Sequence, residues 1–183
     1  PYRRQRQMCI RDRHRRYPKL ILENCSSGGM REDFAQTSRF QVQSTSDQQD
    51  YRLYPVIAAT APLMVLPEQA ASWAYPQAEM DAEQTAFNIN TTFLGRFFLS
   101  GYINQMEEWQ KNIIQQGIQA YREHVQPMIG ESVPLWPLGL PSWDSAVVAL
   151  GVKASQRTIV TVWARNAPET VKAVSYTHLT LPT

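Results

Sequence analysis

Four short apolar runs recur through the first half of the chain: Leu20-Ile21-Leu22, Phe40 to Gln43, Leu63 to Leu66, and Gly95 to Leu99. Each is too short for a helix and stops at Gly, Pro or small hydroxyl residues, as a buried strand does when it delivers side chains into a loop. Segments of helical length lie between them. Residues 30–40 carry Phe34 and Phe40 as apolar markers, and residues 51–61 are Ala-rich behind Asp50, a suitable N-cap. Residues 81–93 place acids in the first turn, where they favour the helix dipole. Residues 106–125 form the longest segment, with Met106, Trp109, Ile113, Ile114, Ile118, Tyr121 and Val125 at helical spacing. Trp109 falls on that apolar face and is expected in the core. Strand and helix thus alternate four times, which predicts βα units and a parallel sheet.

The pattern changes at Pro127. Pro134, Pro137, Gly139 and Pro141 punctuate the chain beside Trp136 and Trp143. Two extended runs follow, 146–152 and 158–163, separated by a turn at 153–156 as in an antiparallel hairpin. The expectation is an α/β part over residues 14–126 and the start of a β domain over 127–173.

Charge alters this picture only at the ends. The 183 residues carry a net charge of +2, yet residues 1–16 hold seven Arg against one Asp. Such a basic arm would suggest nucleic acid or an anionic membrane. A comparison of the two termini as codons offers another origin. Reverse-complementing plausible codons for residues 3–12 returns Val-Ser-Tyr-Thr-His-Leu-Thr-Leu-Pro-Thr, which is residues 174–183. Residues 1–13 and 174–183 are therefore expected to be translated sequencing-adapter sequence and are set aside, as tags are. Neither a nucleic-acid nor a membrane partner is expected, and no run approaches the ~18 apolar residues of a membrane span. With Cys9 set aside, Cys25 stands alone and no intrachain disulfide is available. The compartment stays undetermined, a cytoplasmic one slightly favoured.

Asp47 leads the candidate chemistry. It lies at the tip of the second strand between Ser46 and Gln48, with Asp50 one helical turn on. A carboxyl so placed acts as a general acid where burial or a second carboxylate holds its proton; equally, Asp47 and Asp50 can cap the next helix. Cys25 has no C-x-x-C partner and the His are scattered, so a packing thiol outweighs a nucleophile or ligand, and no metal or cofactor is expected. Gly28-Gly29 is a weak match to a phosphate nest. Arg31 and Asp33 suit a loop-anchoring ion pair. Residues 68–76 read as a loop whose Gln69, Trp73 and Tyr75 would suit a sugar site.

The string E-N-C-S-S-G-G-x-R-x-D, followed by S-R-F and S-T-S-D-Q-x-D, resembles the alpha-galactosidases of glycoside hydrolase family 36, the melibiase type. The resemblance continues through A-P-L-x-V-L-P-E-Q, L-G-R-F-F-L-S-G and W-P-L-G-L-P. It implies the C-terminal half of a (β/α)8 TIM barrel followed by the start of an antiparallel β-sandwich. It also implies Asp47 as general acid/base and Cys25, Ser27 and Gly28 in a galactose-contacting loop. Arg31, in the same C-S-S-G-G-x-R block, and Trp73, open between core and stacking platform but tilted toward the site by its loop, are further candidate substrate-binding residues. The partner would be an alpha-galactoside oligosaccharide, and homo-oligomerisation of the parent is left open. The nucleophile implied is the Asp of a K-W-D motif on an earlier strand; no K-W-D occurs here, so this chain is expected to be an inactive, poorly folding piece of its parent. Many members carry Trp three residues before the acid/base, where this chain has Ser44. Rival readings on the same scaffold are an alpha-N-acetylgalactosaminidase, a raffinose-synthase-like galactosyltransferase, and a non-catalytic carbohydrate-binding relative.

Overall fold

The computed structural model describes residues 2–25 and 29–166. Helix α1 (Tyr2–Arg16) leads into a four-stranded sheet of β1 (Glu23–Asn24), β2 (Val42–Ser44), β3 (Ala70–Ala74) and β4 (Arg96–Leu99), ordered β1-β2-β3-β4. Every pairing is parallel: Asn24 lies opposite Gln43, Ser44 opposite Ala71, and Trp73 opposite Phe98. The crossovers are α2 (Phe34–Thr37), α3 (Tyr54–Thr60) and α4 (Ala82–Asn90); α5 (Glu108–Ala120) follows β4 and runs into a π-helical turn, Tyr121–Val125. A separate antiparallel sheet then forms from β5 (Val133–Leu135), β6 (Val147–Lys153) and β7 (Thr158–Ala164). The protein is thus α/β, with a parallel sheet followed by an antiparallel one. The hairpin of β6 and β7 follows the expected one closely.

Several elements differ from their expected places. The first strand is Glu23–Asn24 rather than Leu20–Leu22; Ile21 is exposed and Asn24 is buried, bonded through Nδ2 to Gln43 Oε1 at 2.6 Å. The segment 30–40 is helical only over Phe34–Thr37, capped by Asp33, whose carboxylate accepts from the Gln36 amide at 3.1 Å. Asp33 is therefore a cap rather than the partner of Arg31, and no such ion pair occurs among the described residues. The largest displacement is in the third strand. Leu63 and Leu66 are exposed in a turn region, and the strand is the Ala-Ala-Ser-Trp-Ala that read as loop. Small residues are what this central position demands. Ala70, Ala71 and Ala74 are essentially inaccessible, and Gly95 packs so tightly on the Ala70 carbonyl that a Cβ would overlap it.

The N-termini of α3 and α4 show two solutions to the same problem of unpaired amides. Asp81 and Gln84 form a reciprocal capping box on α4, with bonds of 2.8 and 3.2 Å. Helix α3 instead begins behind Leu53 with Pro55 in its first turn and no side-chain cap. Asp50 is not its cap: its Oδ1 closes a turn on the Arg52 amide at 2.8 Å. Helix α5 starts at Glu108 rather than 106, so the buried Met106 precedes it in extended conformation. On the helix the expected apolar face holds for Ile114 but fails at Trp109, which is exposed. Gln110 takes the buried place, its amide donating to the carbonyls of Gln77, Ala78 and Met80 at 3.2, 3.2 and 2.9 Å. A satisfied amide is cheap to bury, and Trp109 lies on the neighbouring, outward side of the helix.

One apolar cluster joins the two sheets. Val56 and Ala59 of α3, Leu94, Tyr121, Val125, Met128 and Ile129 pack with Val148, Leu150 and Val152 of β6 and Trp163 of β7. Trp136 adds a bond from Nε1 to the Ala59 carbonyl at 2.7 Å.

Candidate active site

In a parallel sheet every strand ends at the same edge, so the loops after β1, β2, β3 and β4 meet there. Asp47 lies in the loop after β2, exposed, and its carboxylate accepts no hydrogen bond among the described residues. Its neighbours are bound instead: the Gln48 amide donates to Ser46 Oγ at 3.1 Å and the Asp50 amide to Gln48 Oε1 at 2.9 Å. The helix-cap reading of Asp47 therefore does not hold, and the carboxyl is free to meet a ligand.

The organiser of this edge is Tyr54, which sequence patterning counted only as part of an apolar helix. Only 1 % exposed, it accepts from the Trp73 amide at 2.9 Å, lies 3.0 Å from Thr45 Oγ1, and donates to the Ser46 carbonyl at 3.4 Å. Thr45 in turn donates to the Ala71 carbonyl at 3.1 Å. One phenol thus ties the ends of β2 and β3 together just before Asp47. Burial pushes its ionisation up to about 12, opposed only in part by the bonds with Thr45 and the Trp73 amide. The signal for it was a Tyr in the first turn of the helix that follows the candidate carboxyl.

Trp73 stands on β3 rather than in a loop. Half-buried, it stacks on Phe98 of β4 with centroids 4.8 Å apart and planes at 25°, and on Tyr75 at 6.1 Å and 16°. Its Nε1 donates to Ser44 Oγ on β2 at 3.0 Å. Tyr75, Trp73 and Phe98 therefore form a row of aromatic faces across two strand ends, a surface suited to the apolar face of a sugar ring. The Tyr75 phenol is raised first by burial, then by the negative charge of Asp47, then by Cys25, so these three groups share one neighbourhood.

Cys25 is exposed after β1, which excludes the packing role. Arg31 is exposed as well; its carbonyl accepts from Asn24 Nδ2 at 2.9 Å, and its guanidinium has no hydrogen-bond partner among the described residues. Ser27 and Gly28 lie outside the described residues. Among the described residues no three His, Cys, Asp or Glu side chains converge as a metal centre requires, and no helix is long and apolar enough to cross a membrane.

No family model matches the sequence, and no curated protein matches it. The architecture is nevertheless that of solved glycoside hydrolases. The galactosidase domain of the alpha-galactosidase-sucrose kinase AgaSK superposes with a TM-score of 0.71 at 18% identity, over 84% of this chain and 22% of that one. A variant of the GH36 alpha-galactosidase AgaA from Geobacillus stearothermophilus, solved with raffinose, gives 0.70 at 18% identity over 82% of this chain and 21% of that one. The alpha-galactosidase from Lactobacillus brevis gives 0.65 at 15% identity over 78% and 20%. The chain spans about a fifth of the length of these structures and shares the fold of that part of them.

Proposed function

We propose that this chain is part of a retaining alpha-galactosidase of glycoside hydrolase family 36, with Asp47 as its general acid/base. The observation that carries the reading is the free Asp47 carboxylate at the C-terminal edge of a parallel sheet, beside the Tyr75–Trp73–Phe98 row, in a fold shared with alpha-galactosidases. The substrate would be a terminal alpha-galactoside of the melibiose or raffinose type, one face on Trp73 and its polar edge toward Cys25, Ser27, Gly28 and Arg31. The four strands would be the second half of a (β/α)8 barrel over residues 14–126, and β5 to β7 the start of a β-sandwich over 127–173. Residues 1–13 and 174–183 would be translated adapter; the Arg and Gln residues of Tyr2–Arg16 favour a helix, in which Ile10 is buried and His14 Nε2 lies 2.8 Å from the Arg39 carbonyl.

In this mechanism a second carboxylate, from a strand outside this chain, attacks the anomeric carbon while Asp47 protonates the leaving oxygen. Asp47 then takes a proton from the water that releases galactose. The two carboxyls must stand about 5–5.5 Å apart. The test is an Asp47→Ala change in the full-length parent, assayed on raffinose. Loss of two to four orders of magnitude in turnover is expected, about what proton transfer contributes; near-normal turnover would refute the assignment. The 183-residue chain alone is expected to release no p-nitrophenol from its alpha-galactoside.

A further inference from the structure

Arg165, just after β7, is 8 % exposed, and among the described residues no carboxylate lies within ion-pair distance of it. A buried guanidinium without a counter-ion persists only where dipoles satisfy it. Here three carbonyls do so. Nη1 donates to Trp143 and Ser145, each at 2.9 Å, and Nε donates to Arg52. The first two bonds stay within the β-sheet part of the chain. The third reaches back across the molecule to the loop that carries Asp47.

Arg52 is the last link of a chain of hydrogen bonds. From Ser46 Oγ it runs through the Gln48 amide at 3.1 Å, from Gln48 Oε1 to the Asp50 amide at 2.9 Å, and from Asp50 Oδ1 to the Arg52 amide at 2.8 Å. At its start Tyr54 holds Thr45 and the Ser46 carbonyl. At its end Arg165 holds the Arg52 carbonyl. The loop is pinned at both ends, and the one carboxylate along it without a bond is Asp47.

We propose that Arg165 is a positioning residue for Asp47, fixing from the antiparallel sheet the loop that presents the acid/base of the parallel one. This rests on the reading of Asp47 given above. Its consequence is that the antiparallel part is required for proton transfer and not for stability alone.

The discriminating readout is the leaving group. A sugar leaving group needs the proton that Asp47 supplies, whereas p-nitrophenolate departs largely without it. In the full-length parent, Arg165→Met and Arg165→Lys are compared with Asp47→Ala on raffinose and on p-nitrophenyl alpha-galactoside. Misplacing a catalytic group by about 1 Å can cost 10²-fold. Arg165→Met is therefore expected to lose at least about tenfold in kcat/KM on raffinose and distinctly less in kcat/KM on the p-nitrophenyl substrate, while kcat falls on both because Asp47 also activates the water of the second step. Arg165→Lys, which keeps a charge and can reach one carbonyl, falls between. Amide hydrogen exchange in residues 46–53 of the Lys variant, the milder change, is expected to quicken relative to β6. An equal loss in kcat/KM on both substrates, or none, in a folded variant overturns the proposal; if the Met variant does not fold, the Lys variant decides by the same ratio. If Asp47→Ala turns over normally, the acid/base reading itself fails, and that outcome is separate from an unchanged substrate ratio beside an inactive Asp47→Ala.

Discussion

Tyr54 shows how much one buried hydroxyl can carry. Replacing it with Phe removes the acceptor of the Trp73 amide and the donor to Ser46 while leaving the ring in place. A cost of about 1–3 kcal/mol is expected, read by urea unfolding at pH 7. Its ionisation adds a pH dependence. A phenol whose folded-state value is about 12, against about 10 unfolded, stays neutral in the fold after the unfolded chain has begun to ionise. Its contribution is whole below pH 10 and is lost between 10 and 12, so Tyr54→Phe is expected to flatten the alkaline limb of a stability–pH curve. Trp73 can be divided in the same way. Trp73→Phe keeps the stack on Phe98 and Tyr75 and loses only the bond to Ser44; Trp73→Ala loses the platform. The first is expected to leave KM for raffinose nearly unchanged and the second to raise it by about two- to twelvefold, a stacking contribution of about 0.5–1.5 kcal/mol. A KM unchanged in Trp73→Ala would remove that residue from the sugar site.

The elements raise a different question, why the third strand lies where it does. Leu63 to Leu66 is the more hydrophobic run, yet Leu63 and Leu66 point outward while Ala70, Ala71 and Ala74 are enclosed. Hydrophobicity ranks how much a residue gains by burial, not whether the space exists. Between β2, β4 and the helices the space admits a methyl and little more. Two substitutions separate these views. Leu66→Gln is expected to change unfolding free energy by less than about 0.5 kcal/mol, whereas Ala70→Leu overpacks and is expected to cost about 1–3 kcal/mol. Past β4, Gly101 has φ of +119° and faces the Pro76 carbonyl, so Gly101→Ala is strained by conformation and by contact at once.

Across the molecule, the two sheets share their interior. Trp163 of β7 is 1 % exposed and packs in the same cluster as Val56, Leu94 and Tyr121. Trp163→Ala is expected to cost about 3–5 kcal/mol and to lower the unfolding midpoint of both parts together, which circular dichroism and intrinsic fluorescence would report as one transition. Two separate transitions would mean that the parts fold independently.

The alternation of strand and helix, the switch to a hairpin, the acids at the start of α4 and the placing of Asp47 beyond β2 were all legible in the residues, because each depends on local periodicity or on neighbours close along the chain. The alpha-galactosidase resemblance came from short strings in the same way. The tertiary structure alone decided the rest. It made a strand of an alanine-rich stretch, turned Trp109 outward in favour of a satisfied Gln110, freed Asp47 from the capping role open to it, and brought Arg165 to Arg52. Those outcomes depend on which carbonyls and which volumes distant segments leave open, and no periodicity along a chain encodes them.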